Sequence, residues 1–141
     1  MFSLSELANK KLHFIGIGGA GMSGLARIAL THSAVVSGSD EKDSSVLAAL
    51  AALGAKVFSS HGASHVDGAD LVIYSNAISK NNPERVHAAQ LGIPLYTRAQ
   101  ALALLMSESV SIAVAGTHGK TTTSSMLTVA LQACGVDPSF A

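Results

Sequence analysis

The sequence predicts an α/β protein built on a doubly wound, five-stranded parallel sheet. Five short apolar segments alternate with stretches of helical character, which is the pattern of a parallel sheet between helices. A glycine-rich turn joins the first apolar segment to the first helix. The 141 residues are 48% hydrophobic but only 4% aromatic, so the core is expected to consist of aliphatic side chains.

The first strand is predicted at Leu12–Ile17, and an apolar helix follows it. Between them lie Gly16, Gly18, Gly19 and Gly21, which we call the glycine turn. Its spacing, G-x-G-x-x-G between a strand and a helix, is that of a dinucleotide-binding, Rossmann-like fingerprint. We therefore expect a nucleotide diphosphate to lie against this turn, since glycine lets an anion approach the backbone. The alternative is that the glycines serve only close packing of helix on strand.

The second strand is predicted at Ala34–Ser37, and Asp40 follows it about twenty residues after the glycine turn. An acidic side chain at that spacing binds a ribose hydroxyl in Rossmann-like domains, so Asp40 is a candidate ligand residue. The alternative is a capping role before the predicted helix Val46–Leu53, for which Asp43 and Ser44 compete.

The third strand is predicted at Ala55–Phe58, followed by a polar loop that contains His61 and His65. Their spacing of four would suit a metal on a helix, but no third ligand is evident, and zinc sites need three or four. His61, just past a strand end, is the better candidate for contact with a ligand. His13, within the first strand, is expected to be a structural histidine with its hydrogen bonds satisfied at the end of the sheet.

The fourth strand is predicted at Asp70–Tyr74. Ligands collect at the carboxyl ends of parallel strands, and small polar groups there can donate to phosphate or sugar oxygens. The candidate binding residues after this strand are Ser75, Asn76 and Ala77. The alternative is that they form only a turn leading into the next helix.

That next helix is predicted at Pro83–Leu91, with Asn82 as its N-cap and proline at the first helical position. The fifth strand is predicted at Ile93–Tyr96, and Thr97 is expected to cap a helix over Arg98–Met106. These elements complete the five strand–helix alternations of the predicted sheet.

A polar break at Ser107–Ser109 predicts a domain boundary, with residues 1–107 in one domain and 108–141 at the start of another. A further strand is predicted at Val110–Ala115, and a further helix at Ser125–Ala133. The residues between them form a second glycine-containing loop, which we call the phosphate loop. It consists of Gly116, Thr117, His118, Gly119, Lys120, Thr121 and Thr122.

The phosphate loop has the Gly-Lys-Thr ending of an ATP-binding P-loop. In such loops the lysine reaches the β- and γ-phosphates and the hydroxyl ligates Mg²⁺, so Lys120 and Thr121 are the corresponding candidates. The loop departs from the general pattern because only two residues separate Gly116 from Gly119, and Val114 stands where the outer glycine would be. The alternative is a loop with a solvated lysine.

Charge, cysteine content and hydropathy indicate which partners and which compartment to expect. Nine basic and nine acidic residues give zero net charge, so we expect neither nucleic acid nor a membrane surface as partner. A single cysteine allows no disulfide within the chain, which suits the cytoplasm. No apolar run is long enough to span a bilayer.

Several motifs together resemble the Mur ligases, and the resemblance extends over nearly the whole chain. They are the stretch His13–Gly24, Gly38-Ser39-Asp40, Ser75-Asn76-Ala77-Ile78, Asn82-Pro83-Glu84, Arg98-Ala99 and the phosphate loop. The form of that loop with His118 is the most specific of them. The resemblance implies a three-domain enzyme, of which this chain would hold the first domain and the opening of a truncated second α/β domain.

The resemblance also implies a reaction and its ligands. ATP, with Mg²⁺, would phosphorylate the carboxylate of UDP-N-acetylmuramate, and the amine of L-alanine would displace the phosphate to form an amide in peptidoglycan precursor synthesis. The UDP substrate would lie against Gly18, Gly19, Gly21, Asp40 and the Ser75–Ala77 turn, and ATP against the phosphate loop. The 141 residues alone are expected to bind the UDP substrate without catalysing the ligation.

Two other functions remain open at this point. An NAD-binding module of a dehydrogenase or redox sensor explains the glycine turn and Asp40 but leaves the phosphate loop unexplained. A non-catalytic UDP-sugar-binding module explains the first domain equally well. Finally, apolar residues after position 109 predict contact with another chain, and hence a possible homo-oligomer, or disorder.

Overall fold

The computed structural model describes residues 6–106 and 110–138. Its centre is a five-stranded parallel sheet in the order β3-β2-β1-β4-β5. The strands are β1 (Lys11–Ile15), β2 (Val35–Ser39), β3 (Lys56–Phe58), β4 (Leu71–Tyr74) and β5 (Leu95–Thr97). The predicted sheet is therefore confirmed, with strand boundaries shifted by at most two residues.

Helices join the consecutive strands as far as β5, and two further helices follow β5. They are α1 (Ala20–Thr31), α2 (Ser45–Ala52), the short 3₁₀ helix Ala63–Val66, α3 (Pro83–Gln90), α4 (Arg98–Met106) and α5 (Lys120–Ala133). The strand order reverses its direction between β1 and β4, which are neighbours in the sheet but not in the chain. In open α/β sheets this reversal leaves a crevice at the carboxyl ends of the strands, where ligands bind.

The two faces of the sheet bury different sets of side chains. On one face, Phe14, Leu25 and Leu50 belong to the large aliphatic core beneath α1, α2 and α4. On the other face, Ile15, Val72 and a few neighbours form a smaller cluster with α3 and the 3₁₀ helix. Residues alternate between the two faces because successive side chains of a strand point in opposite directions.

Local capping explains where several helices begin. The side chain of Ser44 accepts a hydrogen bond from the backbone N–H of Leu47, so Ser44, rather than Asp40 or Asp43, caps α2. Asn82 caps α3, and Pro83 occupies its first turn, as predicted. Thr97 and Gln100 form a reciprocal capping box at the start of α4.

The prediction of a strand at Val110–Ala115 is wrong, because these residues form no strand in the structure. Helix α5 begins at Lys120, five residues earlier than predicted, and buries none of its side chains. The predicted domain boundary at Ser107–Ser109 lies outside the described residues.

Candidate functional site

The glycine turn lies between the carboxyl ends of β2 and β4. The backbone N–H groups of Gly16 and Ile17 both donate to the carbonyl of Ser39, at 2.8 and 3.1 Å. Gly16 has a φ of +82°, and a Cβ built on it would lie 3.3 Å from the Cβ of Ser75. A side chain at position 16 would therefore be strained as well as crowded, which explains glycine there.

The turn ends in a helix N-terminus with the features of an anion site. Gly19 is the N-cap of α1, no side chain caps the helix, and its first turn contains no acidic residue. The N–H groups of Ala20 and Gly21 donate to no other group within the described parts of the chain. Free N–H groups and the positive end of the helix dipole favour a bound phosphate.

Arg98 brings a positive charge to the same place. It is the first residue of α4, its side chain is exposed, and a Cβ on Gly21 would lie only 2.8 Å from its Nη1 atom. Arg98 belongs to one of the family motifs in the sequence, but it was not predicted as a site residue. Its position after the fifth strand, at the ligand-binding edge of the sheet, was the signal that could have identified it.

Asp40 contacts the glycine turn directly. Its Oδ2 accepts a hydrogen bond from the N–H of Gly18 at 2.9 Å, and its Oδ1 accepts one from the N–H of Lys42 at 3.1 Å. A Cβ on Gly18 would meet Oδ2 at 2.9 Å, so only glycine allows this approach. Asp40 thus supports the turn from the β2 side, and its predicted contact with a ligand remains a prediction.

The predicted Ser75–Ala77 segment forms a tight turn beside Gly16. The N–H of Ser75 continues the β1–β4 ladder by donating to the carbonyl of Ile15, and its Oγ accepts from the N–H of Ala77 at 3.4 Å. Asn76 and Ala77 are exposed at this edge. The structure therefore brings this turn, the glycine turn and Asp40 together at one edge of the sheet.

A buried polar cluster lies beneath this edge, on the α3 face of the sheet. Its members are His13, Ser39, His61, His65 and Glu84. The side chain of Glu84 is fully buried, as is that of His13. The sequence analysis missed Glu84 as a site residue and considered His13 apart from the His61–His65 pair.

Four donors surround the carboxylate of Glu84. Ser39 Oγ donates to Oε2 at 2.5 Å, while His65 Nδ1 and the N–H of Gly62 lie 2.8 and 3.2 Å from Oε1. His61 Nδ1 lies 3.2 Å from Oε2. Burial alone would raise the pKa of Glu84. The nearby His13 ring and the hydrogen bonds from Ser39, Gly62 and His65 lower it by more, and the net result is a pKa of about 2.

His13 is only partly satisfied. Its Nδ1 lies 2.9 Å from Ser37 Oγ, whereas Nε2 has no hydrogen-bond partner among residues 6–106 and 110–138 and lies 3.6 Å from Glu84 Oε2. The expectation of a fully satisfied histidine is thus correct for one ring nitrogen and wrong for the other.

His61 lies at the rim of the polar cluster, and its side chain is 10% exposed. Its Nδ1 is 2.8 Å from Ser39 Oγ, and its Nε2 is 4.0 Å from an oxygen of the exposed Glu41. His65 stacks on Phe58 with a ring-centre distance of 3.8 Å. Within residues 6–106 and 110–138 no group of three or more His, Cys, Asp or Glu side chains could hold a metal ion.

The phosphate loop contains a second helix N-terminus. Gly119, with a φ of +77°, is the N-cap of α5, and no side chain caps the helix. The N–H groups of Lys120, Thr121 and Thr122 donate to nothing else in the described residues. Lys120 Nζ folds back and donates to the carbonyl of Gly116, at 2.5 Å. These donors suit a polyphosphate, although no strand precedes the loop.

A comparison with protein families identifies the chain. The sequence model for the Mur ligase family, catalytic domain, matches residues 11–109. The chain belongs to the Mur ligase family. This membership covers the whole sheet and favours a ligase over the NAD-binding module that the glycine turn alone left open.

Curated Mur ligases that are similar to this chain share the same name. A UDP-N-acetylmuramate–L-alanine ligase of Nocardioides is 53% identical over 93% of this chain, and one of Streptomyces avermitilis is 56% identical over 92%. This chain spans 29% and 28% of the length of those two proteins. In addition, no helix in the described residues is long and apolar enough to cross a membrane.

Solved structures of Mur ligases share the fold. The UDP-N-acetylmuramate–alanine ligase of Thermotoga maritima matches 86% of this chain with a TM-score of 0.80 and 36% identity. A murein peptide ligase of Psychrobacter arcticus matches 92% of it with a TM-score of 0.85 and 30% identity. The chain covers 29% and 28% of those structures, respectively.

Proposed function

We propose that this chain supplies the UDP-substrate-binding region and the ATP loop of a UDP-N-acetylmuramate–L-alanine ligase. The observation that carries the proposal is the helix N-terminus at the glycine turn, where free N–H groups and Arg98 converge. The names of relatives more than 50% identical to the chain support the choice of UDP-N-acetylmuramate and L-alanine as substrates. Such an enzyme would act in the cytoplasm, where its nucleotide substrates are made.

The charges at the crevice suggest how the UDP substrate lies. The diphosphate would contact Gly18, Gly19 and Gly21 and face the Arg98 guanidinium, which pairs well with phosphate oxygens. The carboxylate of Asp40 would repel a phosphate, so it suits a ribose hydroxyl on the nucleoside side. Ser75, Asn76 and Ala77 would line the opposite wall, and His61 would lie near the uridine.

The phosphate loop would bind ATP. The free N–H groups at the start of α5 and the Lys120 ammonium would hold its phosphates, with further loop contacts from Gly116, Thr117, His118, Gly119 and Thr122. The Thr121 hydroxyl would ligate Mg²⁺, which would neutralise charge on the transferred phosphoryl group. Lys120 would have to leave the Gly116 carbonyl to reach a phosphate.

The proposed reaction makes a carboxylate reactive towards an amine. The γ-phosphoryl group of ATP passes to the carboxylate of UDP-N-acetylmuramate, and ADP leaves. The amine of L-alanine then attacks the acyl carbon, loses a proton, and displaces phosphate as the new C–N bond forms. Lys120 would contribute electrostatically, by stabilising the negative charge that the phosphoryl group carries during transfer.

The role of Arg98 is tested by titrating UDP and UDP-N-acetylmuramate into the wild type and Arg98→Ala, with affinity measured by calorimetry. Charge-assisted hydrogen bonds are worth about 1.5–3 kcal/mol, so we expect a loss of roughly 10- to 100-fold. Arg98→Lys should lose less, because it keeps the charge without the guanidinium fork.

Arg27→Ala is the matched control, since Arg27 is an exposed arginine of α1. It should bind like the wild type. If Arg98→Ala binds UDP as tightly as the wild type, the diphosphate does not lie at the glycine turn. A rise in melting temperature with NADH but not with UDP would favour the NAD-binding alternative.

The phosphate loop leads to a separate prediction about catalysis. Because residues 110–115 form no strand and α5 buries no side chain, the loop lacks the sheet that normally fixes a P-loop. We expect the 141-residue polypeptide to bind UDP-N-acetylmuramate but to release no ADP in response to L-alanine. A coupled ADP assay checks this, and alanine-dependent ADP release would contradict it.

A further inference from the structure

The Ser39–Glu84 contact fixes the direction of a hydrogen bond in the polar cluster. Glu84 has the N–H of Gly62 and the Nδ1 of His65 on one carboxylate oxygen, and an ionised carboxylate can only accept. Ser39 Oγ lies 2.5 Å from the other oxygen, Oε2. Two oxygens this close need a proton between them, so the serine hydroxyl donates to Glu84.

This assignment determines the proton on His61. Its Nδ1 lies 2.8 Å from Ser39 Oγ and 3.2 Å from Glu84 Oε2. The serine proton is already used towards Glu84, so both neighbours act as acceptors for His61. The Nδ1 atom must therefore carry the hydrogen, and Nε2 of the neutral ring carries a lone pair.

The free nitrogen is directed towards the edge where the UDP substrate is proposed to bind. Nε2 lies 4.0 Å from Oε1 of Glu41, the residue directly after Asp40. The side chain of Glu41 is 81% exposed, and its carboxylate offers no proton to a neutral imidazole. Nε2 is thus an acceptor that no donor in the described residues satisfies.

We propose that Glu84 is a positioning residue that holds His61 as the Nδ1–H tautomer, so that Nε2 accepts a hydrogen bond from the nucleoside of the UDP substrate. The inference rests on the proposed function. Phosphate oxygens only accept, so this nitrogen selects the nucleoside side of the ligand. The nucleoside offers two kinds of donor there, the ribose hydroxyls and the N3–H of uracil.

The tautomer is measured directly by ¹⁵N NMR of the histidine side chains at a pH of about 8, where imidazoles are ordinarily neutral. In the wild type we expect His61 to show a protonated Nδ1 and an unprotonated Nε2. An Nε2–H ring or a doubly protonated ring in the wild type would overturn the proposal, and this measurement needs no variant.

Two variants distinguish a positioning role of Glu84 towards His61 from a general contribution of Glu84 to folding. Glu84→Gln can donate through its amide, so His61 should shift towards the Nε2–H form. His65→Phe is the matched control, because it removes a donor to the same carboxylate but can keep the stacking on Phe58. It should leave the His61 tautomer unchanged. A folded Glu84→Gln protein that keeps Nδ1–H would show that Glu84 does not set the tautomer.

The acceptor role is tested with UDP as the probe. We expect the ¹⁵N signal of His61 Nε2 to move on UDP binding, and His61→Phe to bind UDP roughly three- to tenfold more weakly, as for one hydrogen bond. CDP lacks the N3–H donor, and 2′,3′-dideoxy-UDP lacks both ring hydroxyls. If one of these ligands binds without moving the His61 Nε2 signal, the group that this ligand lacks is the donor to His61.

The outcomes distinguish this inference from the proposed function. If UDP binds but the Nε2 signal does not move, the inference fails and the proposed function stands. If neither UDP nor UDP-N-acetylmuramate binds, the proposed function fails, and the acceptor role of His61 fails with it.

Discussion

Glu84 shows how one buried charge is stabilised by its surroundings. Removing a carboxylate from water is costly unless hydrogen bonds replace the lost hydration. Here a serine, two histidines and a backbone N–H supply those bonds. Glu84 also lies in the first turn of α3, where the helix dipole favours a negative charge. The ionised form is therefore the stable one.

The pKa of Glu84 makes stability depend on pH. Its folded-state pKa of about 2 lies below the ordinary value of 4.5, so its stabilising contribution is fully present above pH 4.5. That contribution, of about 3 kcal/mol, should be lost as the pH falls from 4.5 towards 2. Urea unfolding at a series of pH values measures this loss.

Glu84→Gln provides the comparison, since it cannot ionise. It should be less stable than the wild type at pH 7, and the difference should shrink as the pH falls through this range. A constant difference between the two proteins from pH 5 to pH 2.5 would show that Glu84 is not the group responsible.

For individual residues, sequence spacing predicts some contacts in the site and not others. The spacing from the glycine turn predicted Asp40 as a residue of the same site, and the structure places it against Gly18, while its contact with a ligand stays a prediction. Glu84 was visible only as part of a motif. Its partners at positions 13, 39, 61, 62 and 65 come from other elements, and no local pattern indicates which side chains the sheet brings together.

Helix α3 is the element whose start is defined most sharply by its own residues. The Oδ1 of Asn82 accepts hydrogen bonds from the N–H groups of Glu84 and Arg85, at 2.9 and 3.3 Å. Pro83 supplies a helical φ where no N–H is needed. This cap also fixes the backbone of Glu84, and so links the start of α3 to the polar cluster.

Asn82→Ala should therefore lower the free energy of unfolding by about 1 kcal/mol, the usual cost of losing an N-cap. Chemical denaturation measures the change. Asn82→Ser is the control, because a serine hydroxyl can replace the cap, and it should recover most of the stability. Equal losses in the two variants would mean that the capping bonds are not the cause.

The wrongly predicted strand at Val110–Ala115 shows the limit of local patterns for whole elements. The apolar run is correct for a buried strand, but a strand also needs a neighbour for its N–H and C=O groups. Within the described residues the only sheet has β3 and β5 at its edges, and 110–115 pairs with neither. A cap such as Asn82 depends on neighbouring residues and was predicted correctly. Whether an apolar run finds a strand to pair with depends on distant residues, so the strand at Val110–Ala115 was predicted wrongly.

The sheet and residues 110–138 differ in how far their apolar side chains are buried. The five-stranded sheet buries aliphatic side chains on both faces. In contrast, Val110 is fully exposed, and Met126 and Val129 on α5 are 69% and 64% exposed. Exposed apolar side chains of this kind favour association, because contact with another molecule removes them from water.

We therefore predict that the isolated 141-residue polypeptide self-associates through residues 110–138. Its mass by sedimentation velocity should rise with concentration, and Met126→Lys combined with Val129→Lys should keep it monomeric, because two buried charges oppose the contact. Val35→Lys is the matched control, since Val35 is 54% exposed but lies on β2. A wild-type polypeptide that stays monomeric at every concentration, with α5 rigid by NMR relaxation, would contradict the prediction. If Val35→Lys abolishes association as well, the contact surface lies on the sheet domain rather than on α5.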